Sequence, residues 1–599
     1  MRFFSTLVAA TLGTLIALGL IVVVGFLFLI ALIASADSTP SVPRDAVLVV
    51  RLQGAIPEYS PDDPIARALG EASGTDLVSL RNALRMAERD RRIRAVWVQA
   101  GGLAGPWATL EEVRTHLERV RRAGKPVVAS LLAPHATETD LFVASTAESL
   151  YAAPLTIVEA NGFVLQTPFF KRALDRLGVT PEVVRAGTFK AATEPFFRED
   201  LSPENRQQLQ GLLDAQNAVF LEAVARSRRT TPARLQALMA GAPVFGAEEA
   251  RHAGLVDALV TEAEVHERLR RRLGLDEDER LRTVTAHDYA RTSPKDAGLD
   301  LDDTAPIAVV LADGDIADGE SGSGGLFGVA SVGHRTFVAA MREARENEAV
   351  KAVVVRINSP GGSASASEAM RQAIEETRRK KPVVASMGDY AASGGYWIAM
   401  GADSIVAQPL TITGSIGVFT LFFDARRFFD ERLGVTFDAV QTSPFADLGT
   451  LSGGLEAPER ALLQQGVDST YARFLSLVAR NRRMALADVD SIAQGRVWSG
   501  RDAHRFGLVD RLGGLREAIA IAARRARLNP ERVSVRLLPR PKTFTERLTE
   551  SLQARVAAWQ VGQRSPAEQG AATTLARVRS LAALHGQVQA LLPWRASVR

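Results

Sequence analysis

Ser393 lies in Gly388-Asp389-Tyr390-Ala391-Ala392-Ser393-Gly394-Gly395-Tyr396, where small residues follow an apolar run. A serine at such a strand-to-helix transition has two uses. It can cap the helix by accepting a backbone N–H. It can also present its hydroxyl at the helix N-terminus as a nucleophile for acyl transfer. A second glycine-dense segment, Asn358-Ser359-Pro360-Gly361-Gly362-Ser363, follows the β-branched run Ala352–Ile357 and opens a helix at Ser367. Its fixed backbone N–H groups suit an oxyanion, because they cost no reorganisation during reaction. A tight strand-to-helix turn is the plainer account. No Gly-Lys-Ser/Thr follows, so the segment is not a phosphate loop.

A serine nucleophile needs a base. No histidine lies within either segment, and the eight histidines are scattered, several in charged, helix-like stretches. A Ser-His-Asp triad stays open, with His334 or His504 recruited in space, since triads are recognised by geometry and not by sequence order. A lysine serves if burial lowers its pKa so that the free amine takes the serine proton. Lys190 stands in Arg185-Ala186-Gly187-Thr188-Phe189-Lys190-Ala191-Ala192, a small and apolar setting. A snorkelling surface lysine is the ordinary alternative. The chain has no cysteine, which excludes disulfides, thiolate nucleophiles and Cys-based metal sites.

The elements that must position these residues repeat. Lys351-Ala352-Val353-Val354-Val355 resembles Arg94-Ala95-Val96-Trp97-Val98, and Lys381-Pro382-Val383-Val384-Ala385-Ser386 matches Lys125-Pro126-Val127-Val128-Ala129-Ser130. Pro409-Leu410-Thr411-Ile412 matches Pro154-Leu155-Thr156-Ile157, and the Gly-Leu-Val-Asp ending at Asp510 matches that ending at Asp257. Four matches in order, at a slowly drifting offset, mean a duplicated domain. The halves run from about 45 to 290 and from about 305 to 540, joined by a polar, acidic linker over 291–304. Within each half, runs such as Ala352–Ile357 and Pro382–Met387 alternate with helical spacing such as Ser367–Arg379, which predicts a parallel sheet covered by helices. The repeat also weighs the candidates. Ser393 corresponds to Glu138, Pro360–Gly362 to Leu103–Gly105, and Lys190 to about Ala446. The serine and glycines survive in one half and the lysine in the other, a pattern that suits one shared site better than folding needs.

With 72 basic against 68 acidic residues, 599 residues carry a net charge of +4, and no basic stripe interleaved with aromatics argues for nucleic acid. Apolar residues make up 46% of the chain, a globular composition. Between Arg2 and Asp37 there is no charge, and within this stretch 7–34 is the membrane-contacting part, with Leu15–Ala34 almost wholly apolar. Twenty residues at 1.5 Å each span the roughly 30 Å hydrocarbon core. The run exceeds a typical signal-peptide core, which favours an uncleaved anchor over 1–40, although Ala34-Ser35-Ala36 has the form of a cleavage site. Arg2 before the helix puts the N-terminus in the cytoplasm and the rest on the periplasmic or exterior side. Residues 541–599, rich in Arg, Ala and Leu, read as a helical tail with no assigned role.

Together Asn358–Gly362, Asp389–Gly395, Thr413-Gly414-Ser415-Ile416-Gly417 and Gly187–Lys190 followed by Glu194-Pro195-Phe196 resemble the long, tandem-domain form of bacterial signal peptide peptidase A. The resemblance covers the anchor, both halves and the linker. It implies two crotonase/Clp-protease-like α/β domains and a single-pass protein of the bacterial inner membrane. It implies Ser393 as nucleophile, Lys190 as general base and Ser415 as the hydroxyl that orients the lysine amine. Backbone N–H groups of Gly361 or Gly362 and of Gly394 would hold the oxyanion. No metal or other cofactor is implied. The implied substrates are remnant signal peptides and other apolar or unfolded peptides, and the implied assembly is a homotetramer. Two rivals remain: a crotonase-type acyl-CoA enzyme, against which the anchor and the Ser–Lys pair speak, and a catalytically silent membrane scaffold, against which the survival of both residues speaks.

Overall fold

Runs of Val, Ile and Ala that alternate with amphipathic helices form parallel strands buried on both faces. The computed structural model describes residues 12–14, 16–21, 23–25, 40–60, 76–241, 243–276, 278–322, 331–540 and 588–591. The first half supplies β1 (Ala46–Gly54), β2 (Ile93–Leu103), β3 (Val127–Leu131), β4 (Ser149–Ala152), β5 (Thr180–Ala186), β6 (Ala258–Leu259) and β7 (Arg282–Thr285). All but β5 make one parallel sheet in the order β7-β1-β2-β3-β4-β6. Successive side chains take opposite faces: Leu48, Val50, Val96 and Val98 enter one core, Val47, Val49, Ala95 and Trp97 the other. The helices α1 (Trp107–Arg122), α2 (Glu138–Ala144) and α3 (Pro203–Ser227) contribute to the first of these cores.

The second half repeats the plan with β8 (Asp302–Asp313), β9 (Asp315–Ala317), β10 (Ser331–Gly333), β11 (Ala352–Ser359), β12 (Gly361–Ser363), β13 (Val383–Ala392), β14 (Ile412–Gly414), β15 (Val418–Asp424), β16 (Val497–Ser499), β17 (Val533–Leu538) and β18 (Gln589–Leu591). Its main sheet has the order β16-β14-β13-β11-β8-β17, parallel apart from β16. Here Ala308, Val310, Val353 and Val355 face one core and Ile307, Val309, Ala352 and Val354 the other. Two boundaries differ from expectation. The helix α4 (Ala364–Arg378) begins before Ser367, because the Ser363 hydroxyl caps it by accepting the Ala366 N–H. The strand β13 continues through Gly388 to Ala392, so α5 (Gly394–Ala399) follows with Ser393 alone between them.

A third sheet crosses the two halves, in the order β10-β9-β12-β18-β15-β5. Here β5 leaves its own half and pairs antiparallel with β15 from Ala186↔Val418 to Thr180↔Asp424. Polar groups on α1 dock the halves further. Asp389 accepts the Thr109 N–H and hydroxyl, both at 2.7 Å. Glu111 accepts the Leu410 N–H at 2.9 Å. The buried Arg356 guanidinium forks onto Glu58 at 2.8 and 2.9 Å and reaches Glu112 at 3.0 Å. Such a fork fits carboxylates in both charge and shape.

Among the described residues no helix is long and apolar enough to cross a membrane. Residues 12–14, 16–21 and 23–25 of the N-terminal apolar run are helical and exposed; the rest of the expected anchor lies outside the described residues. The expected helical tail needs correction where it is described. Gln589–Leu591 is a strand, because its backbone pairs with β12 and β15.

Candidate active site

Ser393 sits at the hinge between β13 and α5 with φ 55° and ψ −111°, backbone that non-glycine residues avoid. The fold forces this conformation. The Ser393 N–H donates to the Gly414 carbonyl at 2.8 Å, and the Ser393 carbonyl accepts the Trp397 N–H at 2.8 Å. Gly394 and Gly395 permit the close packing: a Cβ would lie 2.6 Å from Ser367 Oγ at Gly394 and 2.6 Å from the Ser359 carbonyl oxygen at Gly395. The Ser393 hydroxyl makes no cap hydrogen bond, so the capping account of this serine does not hold. A strained serine at a strand-to-helix turn is the arrangement by which a nucleophile's hydroxyl is aimed away from its own helix.

Lys190 reaches Ser393 because β5 crosses into the sheet of the second half. Beyond Ala186 the chain packs on 494–496. The Phe189 N–H donates to the Gln494 carbonyl at 2.8 Å, and a Cβ on Gly495 would lie 2.7 Å from Lys190 Cβ. The loop is tied from behind by buried Glu194, which accepts from Asn205 Nδ2 at 2.8 Å and from the Ser202 N–H at 3.3 Å. Gln208 on α3 bridges the halves, donating to the Phe189 carbonyl at 3.2 Å and accepting the Val497 N–H at 3.1 Å. The result is Lys190 Nζ at 2.7 Å from Ser393 Oγ, 3.0 Å from Ser415 Oγ and 3.1 Å from the Ser415 carbonyl. All three residues are fully buried. Burial pushes the Lys190 ammonium well below the ordinary lysine range, a shift toward the free amine. Ser415 is itself held at φ 49°, its N–H donating to the Arg496 carbonyl at 2.7 Å.

The glycines divide. The Gly361 N–H donates to Ser359 Oγ at 3.2 Å. Gly362 is in register with Ala590 of β18. Gly394 opens α5, where the first N–H groups of a helix have no intrahelical partner. The two histidines considered as bases are engaged elsewhere: His334 Nδ1 accepts the Gly319 N–H at 3.1 Å, and His504 Nδ1 lies 3.1 Å from the Val509 carbonyl.

In the first half the matching positions are filled by carboxylates. Glu138 accepts the Asn161 and Gly162 N–H groups at 2.6 and 2.9 Å. Buried Asp140 accepts the Gly102, Leu103 and Thr137 N–H groups at 3.1, 3.0 and 3.0 Å. Ala446, the counterpart of Lys190, lies in an exposed turn. That half keeps the turn and satisfies its amides internally.

The family model for peptidase family S49 matches residues 119–276 and again 375–529. The chain belongs to peptidase family S49. It is similar to "Protease 4" of Salmonella typhi, 36% identical with 76% of this chain and 72% of that one covered. It is similar to "Protease 4" of Haemophilus influenzae, 33% identical with 83% of each chain covered. It is 32% identical to "Serine protease SPPA, chloroplastic" of Arabidopsis thaliana, with 84% and 72% covered. This S49 peptidase is therefore a serine protease of the SppA type with two tandem S49 domains. Gln208, Gly495 and the Thr109–Asp389 pair support the site without having been foreseen. Each acts across the boundary between the halves, where one sequence carries no spacing signal. Glu194 was visible as part of a motif, but not as the tie behind the lysine.

Proposed function

We propose that this S49 peptidase is a membrane-anchored endopeptidase that cuts peptide bonds with a Ser393–Lys190 dyad. The single observation that carries the reading is the 2.7 Å approach of Lys190 Nζ to Ser393 Oγ in a buried pocket that shifts the lysine toward the free amine. Lys190 takes the Ser393 hydroxyl proton as Oγ bonds to the scissile carbonyl carbon. The carbonyl electron pair moves onto oxygen, facing the N–H groups of Gly362 and Gly394; one such donor is worth roughly 3–4 kcal/mol in kcat. Collapse breaks the C–N bond, and the Lys190 ammonium returns the proton to the leaving amine. A water, deprotonated by Lys190, then releases the acyl group as a carboxylic acid and restores Ser393. Ser415 keeps the amine on line by offering its hydroxyl and carbonyl oxygens.

The substrates are apolar or unfolded peptides, including remnant signal peptides, which an apolar N-terminal segment would hold the enzyme beside. Assembly as a homo-oligomer, a tetramer by resemblance, agrees with an exposed apolar surface at Leu177, Leu433 and Phe437, where the Gly178 carbonyl accepts the Phe428 N–H. The test uses the full chain in detergent with a quenched-fluorescent peptide. Ser393→Ala and Lys190→Ala should each lower kcat by about a thousand-fold or more while the protein stays folded and assembled. Near-normal turnover by either variant refutes the dyad.

A further inference from the structure

The first half carries an arginine-lined cleft that the peptidase chemistry does not use. It has a volume of about 790 Å³ and lies between the last turn of α1, the last turn of α3 and the turn that leads into β4. Among the described residues, five arginines line it against three carboxylates. Each carboxylate is already taken. Arg228 pairs with Asp257, Arg122 with Glu118 at 3.3 Å and Arg272, from outside the cleft, with Glu148 at 2.5 Å. Arg121 donates to a neutral partner, the Thr146 carbonyl, at 2.6 Å. The exposed Arg226 and Arg229 make neither a hydrogen bond nor an ion pair among the described residues. Folding does not require this surplus. In the second half Arg482 repeats Arg228: it donates to the Gly507 carbonyl at 2.8 Å and pairs with Asp510, as Arg228 donates to the Gly254 carbonyl at 3.0 Å. Arg480, which stands where Arg226 does, is held there by Glu375 at 3.3 Å.

We infer that this cleft binds the phosphate of an anionic phospholipid headgroup, at the surface of the membrane that the N-terminal segment enters. The inference rests on the anchoring reading of 7–34. A guanidinium matches phosphate oxygens in charge and in fork geometry, and it stays charged at every working pH. The cleft also sits at the right end of the sheet. The Glu148 N–H donates to the Val127 carbonyl at 2.9 Å and the Asp257 N–H to the Leu150 carbonyl at 2.7 Å, so both acids stand at the starts of parallel strands. The chain enters β1 at the same end, at Ala46 beside Ile93. Strands β1 and β4 lie three spacings apart in the sheet, about 14 Å. The apolar run ends at 34, and the lead from there to Ala46 spans at most about 40 Å, so this end of the sheet is the one tied to the leaflet. A bound headgroup would fix the tilt of the body on its anchor. Each arginine near an anionic surface adds about five-fold in affinity, and salt screens the effect.

The test reconstitutes the full-length chain into vesicles of phosphatidylcholine alone and of phosphatidylcholine with phosphatidylglycerol, and reads hydrogen exchange at the amides of 226–229. Exchange there should slow about five-fold or more in the anionic vesicles and return to the phosphatidylcholine rate at high salt. The double variant Arg226→Glu, Arg229→Glu changes two exposed side chains without partners, so it should keep the wild-type melting temperature. Its exchange should be the same in both vesicles. A second measurement does not depend on exchange. Native mass spectrometry of wild type released from the mixed vesicles should retain phosphatidylglycerol in preference to phosphatidylcholine, and the double variant should lose that preference. Inorganic phosphate added to wild type in phosphatidylcholine vesicles separates the two sources of the anion. If phosphate alone reproduces the protection, the cleft holds a free anion and the lipid assignment fails. Equal exchange of wild type in the two vesicles, or protection that survives in the double variant, refutes the inference alone, provided the chain floats with phosphatidylcholine vesicles. A wild type that floats with neither vesicle removes the anchoring reading and this inference with it.

Discussion

A buried lysine amine is costly to charge, and this fact links catalysis to stability at Lys190. Its folded pKa lies well below the ordinary lysine value through desolvation. Between that folded value and about 10.4, where an unfolded lysine titrates, the unfolded chain binds one proton more than the native one. Stability therefore rises with pH across this window, and the penalty is largest below the folded pKa. Lys190→Met should lack this slope. Denaturant unfolding of both proteins across alkaline pH should show their difference shrinking as pH rises toward the unfolded value; a constant offset would mean that Lys190 is charged in the fold. Turnover should follow the same group, climbing with pH through the folded pKa of Lys190 because only the free amine accepts the serine proton.

The loops that deliver the dyad are fixed by glycines where two backbones touch. Gly495 has φ 77°, and a Cβ there would meet Lys190 Cβ at 2.7 Å and the Lys190 N at 2.7 Å. Both the conformation and the contact exclude a side chain. Gly495→Ala should therefore push the lysine loop off Ser393. A displacement of about 1 Å costs on the order of a hundred-fold in rate, whereas the sheets that form the core are left intact. A melting temperature close to wild type with a collapsed kcat is the expected result, and unchanged kcat would show that the loop has slack. The role of β5 belongs to this scale as well. Its seven-residue pairing with β15 was invisible in the sequence, because antiparallel partners as distant as Ala186 and Val418 leave no local spacing signal.

For the whole molecule, the site exists only while the halves stay docked, and buried carboxylates govern that docking. Burial pushes Glu111 up to about 8 and Asp389 up to about 7. For Glu111, a folded pKa above the unfolded one means that stability is fully present below about 4.3 and is lost as pH rises through about 8. The interface should thus weaken progressively as pH rises from about 4.3 to about 8. Glu111→Gln keeps an acceptor for the Leu410 N–H but no ionisable group. Its thermal stability between about pH 5 and about pH 8 should be flatter than that of wild type. A parallel pair of curves would place the loss elsewhere.

The sequence by itself determined the duplicated α/β plan, because buried parallel strands must be written as apolar runs and a repeat shows up as an offset. It also marked Ser393 and Lys190, because each was kept in only one half. Their meeting was decided by tertiary structure alone. The crossing of β5, the left-handed backbone of Ser393 and the seating of Gln589–Leu591 beside Gly361 all depend on pairings between distant segments. Such pairings are set by which sheet edges the packed halves leave open, a property of the assembled surface that composition and periodicity do not encode.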